Sequence, residues 1–138
     1  MNLCISDMDK SFLSAFENST LDVSAFRHRE HLRLAYVLLV LNDVKTAHFK
    51  VRVGLRRLLH ENAVSSEYHE TLTLAWMQAV KHFMFLTESA SCFEHFIEQN
   101  EILLDKEIMF THYSRSLIAD EKSRREFIPP DLEPIPSH

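Results

Sequence analysis

An all-α, single-domain bundle of about five to six helices with an extended, proline-containing C-terminal tail is the fold this sequence predicts, on three observations. One glycine and four prolines are too few turn residues for hairpins and sheets. Apolar residues recur at three- and four-residue spacing over long stretches, which is the period of an amphipathic helix. The 138 residues, 46% of them hydrophobic, run without a long polar interruption. A chain of this size buries roughly two-thirds of the surface its unfolded form exposes, so one core and one domain over 1–138 are expected.

The first helix is predicted over about residues 6–17, where Met8, Phe12, Leu13 and Phe16 fall on one face. A polar loop at 18–22 follows. The second helix begins near His28 and runs to about Leu41, with an apolar stripe of Leu32, Ala35, Leu38 and Leu39 that extends backward to His31 and His28. A third, over about 44–60 and capped by Asn42-Asp43, turns Val44, Ala47, Val51, Leu55, Leu58 and Leu59 inward and Arg52, Arg56 and Arg57 outward. The fourth opens after Ser65-Ser66 and spans about 67–86, its core face reading Tyr68, Leu72, Ala75, Trp76, Ala79 and Phe83. A fifth amphipathic piece covers 91–98, and 102–111 reads as a broken helix. A helical turn at 121–126 gives way to a proline-rich stretch at 128–138. Proline cannot continue a helix, and the interleaved Phe127, Ile128, Leu132 and Ile135 suit a tail strapped across the helices or received by a partner.

Fifteen basic against twenty acidic side chains give a net charge of -5, which steers the protein toward neither nucleic acid nor an anionic membrane. The apolar run at 34–41 is too short to span a bilayer, and the first residues lack the pattern of a secretory signal. Cys4 and Cys92 form no zinc or redox spacing and read as two reduced thiols, which fits a cytoplasmic protein. A single glycine, at position 54, rules out glycine-rich phosphate loops, nucleophile elbows and dinucleotide fingerprints.

The chemistry lies in the histidines. His28 and His31, three residues apart, sit on adjacent turns of one helix face, where two imidazoles can converge on an ion. His69 borders the apolar face of the fourth helix and supplies a third ligand if the two helix starts meet. The bland reading is that His28 caps its helix and His31 bonds a neighbouring carbonyl. Glu70 has three candidate roles: ligand, orienting partner of a histidine, or general base; its bland role is a charge favoured at a helix N-terminus. His112 stands beside Tyr113, Ser114 and Arg115, a group suited to an anion or simply a solvated loop. His48, His60, His82 and His95 lack partners at ligand spacing. The carboxylate pairs of a di-iron centre are absent, so a mononuclear site is expected, with a divalent transition metal, iron or zinc first.

The strings Phe-x-His-x-x-His-Leu (26–32), Tyr-His-Glu-Thr-x-Thr-x-Ala-Trp (68–76), His-Tyr-Ser (112–114) and Pro-Asp-Leu-x-Pro-Ile-Pro (130–136) resemble those of a group of small bacterial all-helical proteins. The resemblance spans most of the chain. It implies that these histidines form one site and implies no substrate.

Two function classes follow. In the first, the protein is a small metal-dependent enzyme: His28, His31 and His69 hold the ion, Glu70 and His112 serve catalysis, and Arg29, Arg33 or Arg115 orients an acidic small-molecule substrate while the metal activates water or dioxygen. In the second, it is a metal-free helical ligand-binding or interaction module whose histidines close a polar network in the core. A homodimer is compatible with either.

Overall fold

The computed structural model describes residues 2–64 and 67–138. Its elements are β1 (Asn2–Leu3), α1 (Asp7–Glu17), α2 (His28–Leu41), α3 (Val44–Glu61), α4 (Glu70–Leu86), β2 (Ser89–Ala90), α5 (Phe93–Gln99), α6 (Arg115–Ala119) and α7 (Glu121–Arg125). Short 3₁₀ turns at Val23–Ala25, Glu101–Leu104 and Lys106–Thr111 fill the connections, the last two coinciding with the broken helix expected at 102–111. The fold is therefore all-helical apart from β1 and β2, a two-residue parallel pair that aligns Asn2 with Ser89 and Leu3 with Ala90.

α2 is the central post. Leu32 and every residue from Leu34 to Leu39 are buried, so α2 is apolar nearly all round rather than on one stripe, as suits a helix packed by α1, α3, α4 and α5. The single glycine is used for close approach: a Cβ on Gly54 of α3 would lie 2.2 Å from the ring of Phe16 on α1. With no glycine at helix ends, Ser19 and Ala63 adopt the left-handed conformation there, at φ 56° and 59°. Each closes its helix with a backbone bond, Thr20 N to Ala15 O at 2.9 Å and Val64 N to Leu59 O at 2.8 Å.

Four details depart from the sequence pattern. On α1, Met8 faces solvent, while the face predicted from it buries Asp9 instead. The Asp9 carboxylate accepts from the backbone N–H of Ser6 and of Phe93 and from Arg33 Nε, all at 3.0 Å, and so ties α1 to α2 and α5. Arg52 turns inward from α3 to pair with Glu70, at 2.7 Å between Nη2 and Oε2, where an outward arginine was expected. The cap expected at Ser65-Ser66 lies outside the described residues, and α4 starts only at Glu70, with His69 as its cap. Finally, the deepest residues of α4 are Thr71, Leu74, Ala75, Met77, Ala79, Val80 and Met84; Leu72 and Trp76 are half-buried because their side of the helix borders a cavity.

The tail is strapped onto its own domain. Thr71 Oγ1 donates to Glu126 O at 3.0 Å and accepts from Ile128 N, and Tyr113 Oη donates to Ile128 O at 2.7 Å. Ser114 holds Asp131 through its N–H and its hydroxyl, and Leu132 N and Glu133 N bond the carbonyls of His112 and Thr111. Among the described residues no helix is long and apolar enough to cross a membrane.

Candidate functional site

A cavity of about 600 Å³ opens between the first turns of α2 and α4 and the flank of α3. Its walls are Leu34 and Ala35 from α2, Val51, Leu55 and Leu59 from α3, and Leu72, Trp76 and Met77 from α4, with Phe26 and Tyr68 from the segments leading into α2 and α4. The polar groups are His28, His31, His69, Thr73, Ser24, Arg27, Lys106 and Glu67. The α2 start is held by Glu30, whose carboxylate accepts from Arg27 N at 2.9 Å, and this fixes the turn that presents both α2 histidines.

His69 is fully engaged. Its Nε2 faces Ile118 O at 2.9 Å and must carry the proton, because a carbonyl only accepts; its Nδ1 accepts from Leu72 N at 3.1 Å. That assignment makes His69 a neutral imidazole that caps α4 and anchors the segment before α7. Burial, with Arg124 nearby, lowers its pKa. His28 donates from Nε2 to Leu103 O at 2.8 Å and packs edge-on against Trp76, ring centroids 4.5 Å apart. Its pKa is lowered by burial and by Lys106, with the bond to Leu103 opposing. His31 rests on the Phe26 ring at 4.5 Å and has no hydrogen-bond partner among the described residues. Although its ring is open to the cavity, protein packed around it, with His28 and Lys106, pushes its pKa down to about 4. The direction of the shift leaves His31 neutral at physiological pH.

The three histidines predicted as ligands therefore share one cavity without forming a ligand set. Among the described residues no three His, Cys, Asp or Glu side chains are grouped so as to hold a metal ion. His69 would have to release both of its bonds to ligate.

The remaining predicted residues lie elsewhere. Glu70 is buried and faces α3: it accepts from Arg52 Nε at 2.9 and 3.1 Å and from the Tyr68 hydroxyl. Burial alone would raise its pKa, but these donors outweigh it and hold the carboxyl below its usual value, the opposite of a poised general base. His112 bonds Glu133 O through Nδ1 at 2.7 Å and serves to seat the tail. Arg29 pairs with Glu94 and lies over Phe93, Arg115 pairs with Glu107 at 2.7 Å and lies over Phe110, and Arg33 pairs with Asp9. Each of these arginines is already neutralised by a carboxylate, and none lines the cavity.

Lys106 and Arg27 are the cavity cations that the sequence did not reveal. Neither makes a salt bridge among the described residues. Lys106 carries no signal in sequence, since it approaches His28 and His31 only through the fold; Arg27 had one, its adjacency to His28. Compared with known protein families, with curated proteins and with solved structures, the chain matches none. Fold and site together define an all-helical protein with a half-open aromatic cavity whose polar groups include three neutral imidazoles, two cations and the Glu67 carboxylate.

Proposed function

We propose that this protein binds a small organic anion, an aromatic or aliphatic body with a carboxylate-type head, in the cavity between α2, α3 and α4. The observation that carries the reading is the make-up of the cavity wall: Trp76, Phe26, Tyr68, Leu55 and Leu72 offer apolar area, Arg27 and Lys106 offer positive charge against the single carboxylate of Glu67 among the described lining residues, and His31 offers a ring N–H donor. A cavity of about 600 Å³ with a mostly apolar lining and a few polar groups is the usual form of a small-molecule site. Lys106 supplies the counter-charge and a neutral imidazole supplies a donor that orients the head group. Binding rather than catalysis is favoured because His31, the histidine whose ring has no hydrogen bond among the described residues, is shifted down to about 4, where an imidazole is a weak proton acceptor, and His28 is shifted downward too.

The metal-dependent reading rests on the same cavity. His28 and His31 would be its protein ligands, and the rest of the coordination sphere would come from the bound molecule.

Trp76 is the chain's one tryptophan and lines the cavity, so intrinsic fluorescence reports its occupancy. Titration with a panel of aromatic and medium-chain carboxylates is expected to give a saturable change for at least one member. That response should weaken about tenfold in Lys106→Gln, the order expected for loss of a charge-assisted contact. A panel without any saturable response overturns the binding reading. Near-stoichiometric metal in tag-free protein, lost in both His28→Ala and His31→Ala, would replace it with the metal-dependent one.

A further inference from the structure

A second concavity, of about 810 Å³, lies between α3 and the C-terminal α7, and it is built from arginine. Arg56 and Arg57 from α3 and Arg124 and Arg125 from α7 line it, with Glu121 as the one carboxylate. Gathering four guanidinium groups on a protein whose net charge is -5 concentrates opposite charge in one place. Three of the carboxylates that neutralise arginines elsewhere are engaged away from it, Glu94, Asp9 and Glu107 by Arg29, Arg33 and Arg115, whereas Glu70 is paired with Arg52 and also attracts Arg56 of the groove. Arg57 instead donates to the backbone carbonyl of Glu17 at 2.8 Å, and Arg125 is exposed with neither a hydrogen bond nor an ion pair among the described residues. Arg56 lies over the Tyr68 ring at 4.9 Å, and Arg124 donates to Tyr68 O at 3.3 Å. Tyr68 thus props two of the four guanidiniums toward the groove.

We infer that this arginine groove is a binding site for a compact phosphoryl polyanion of the di- or triphosphate class. Guanidinium forks match phosphoryl oxygens bidentately, and several forks around one concavity suit several charges in a small volume. An extended nucleic-acid backbone is disfavoured, because a chain of net charge -5 repels a long polyanion. A monocarboxylate supplies too little charge to satisfy four guanidiniums. The two concavities share Tyr68 as a wall, but neither assignment rests on the other.

Calorimetric titration with inorganic pyrophosphate and with tripolyphosphate tests this at low and at physiological salt, with citrate as the tricarboxylate control. Saturable binding is expected, tighter for tripolyphosphate and weaker as salt rises. Arg57→Gln with Arg125→Gln should reduce affinity about tenfold or more, and Lys106→Gln should leave it unchanged. Arg125→Gln alone removes no bond among the described residues, so it keeps the test decisive if the double variant misfolds by circular dichroism. Absence of heat with either phosphate, affinity indifferent to Arg125, or citrate binding equally well would each overturn the assignment.

Discussion

His69 shows how a residue can look like a ligand and be a fastener. Position and residue type are visible in sequence; which ring nitrogen already has a partner is not, because Ile118 lies 49 residues away along the chain. His69→Ala should cost about 2 kcal/mol in urea unfolding, combining a lost helix cap with an unpaired buried carbonyl, without altering metal content. A variant of unchanged stability would contradict the capping role. The same limit explains the arginines. Arg29 and Arg115 were conspicuous beside motif histidines, yet each has a carboxylate and an aromatic ring as partners. The cation that does reach the cavity, Lys106, comes from an irregular segment where no period guides the eye. Sequence legibility at this scale extended to His28 and His31 sharing one cavity with His69, and stopped at what each ring does there.

Elements were read more faithfully than residues. The helices at 28–41 and 44–60 coincide with α2 and α3 within a residue, since apolar period and the Asp43 cap agree; Asp43 Oδ1 accepts from Thr46 N at 2.7 Å. α4 was placed three residues early because Glu67 and Tyr68 continue a plausible pattern, whereas His69 Nδ1 caps the helix start by accepting from Leu72 N. The predicted face holds in part: Ala75 and Ala79 are buried and Tyr68, Leu72, Trp76 and Phe83 pack against the core half-buried, because a helix wall bordering a cavity is as apolar as one bordering the core. β1 and β2 are two residues each, below the length at which alternation has meaning. The scarcity of glycine has an energetic counterpart at helix ends. Ser19 and Ala63 each carry left-handed strain of about 1–2 kcal/mol, against which glycine would lose somewhat less than 1 kcal/mol through a freer unfolded chain. Ala63→Gly and Ser19→Gly should therefore each stabilise by about 0.5–1 kcal/mol in chemical denaturation; destabilisation by both would show the backbone to be unstrained there.

At the scale of the whole molecule, composition is the reliable guide to the all-helical class, whereas proline placement leaves the tail to its own helices or to a partner, a choice that the bonds of Ile128 and Asp131 make in favour of its own helices. Its response to acid follows from the buried titratable groups taken together. His28, His31 and His69 have pKa values below the ordinary 6.5, so the unfolded chain takes up protons that the native state refuses as pH falls past 6.5. Asp9 and Glu70, despite burial that alone would raise them, are held below 3.8 and 4.5 by backbone and arginine donors. Their contribution is complete above those values and is lost as pH drops through and below them. Unfolding free energy from urea titrations should thus decline from about pH 6.5 downward, more steeply below about 4.5. A flat profile between pH 7 and 5 would contradict neutral buried imidazoles.

The strap and the small sheet also dictate an order of events during synthesis. Asn2 and Leu3 are synthesised more than eighty residues before their partners Ser89 and Ala90. The buried Thr71 hydroxyl waits for Glu126 and Ile128, and the Tyr113 hydroxyl for Ile128. A nascent chain holding only α1 to α4 therefore has its central helices but neither end secured, and exposes α2 along the side that α5 will cover. Such late, long-range closure slows folding and lengthens exposure to aggregation. The growing polypeptide can complete this fold only after residues 126–133 have left the ribosome, which makes chaperone demand during translation a property written into its topology.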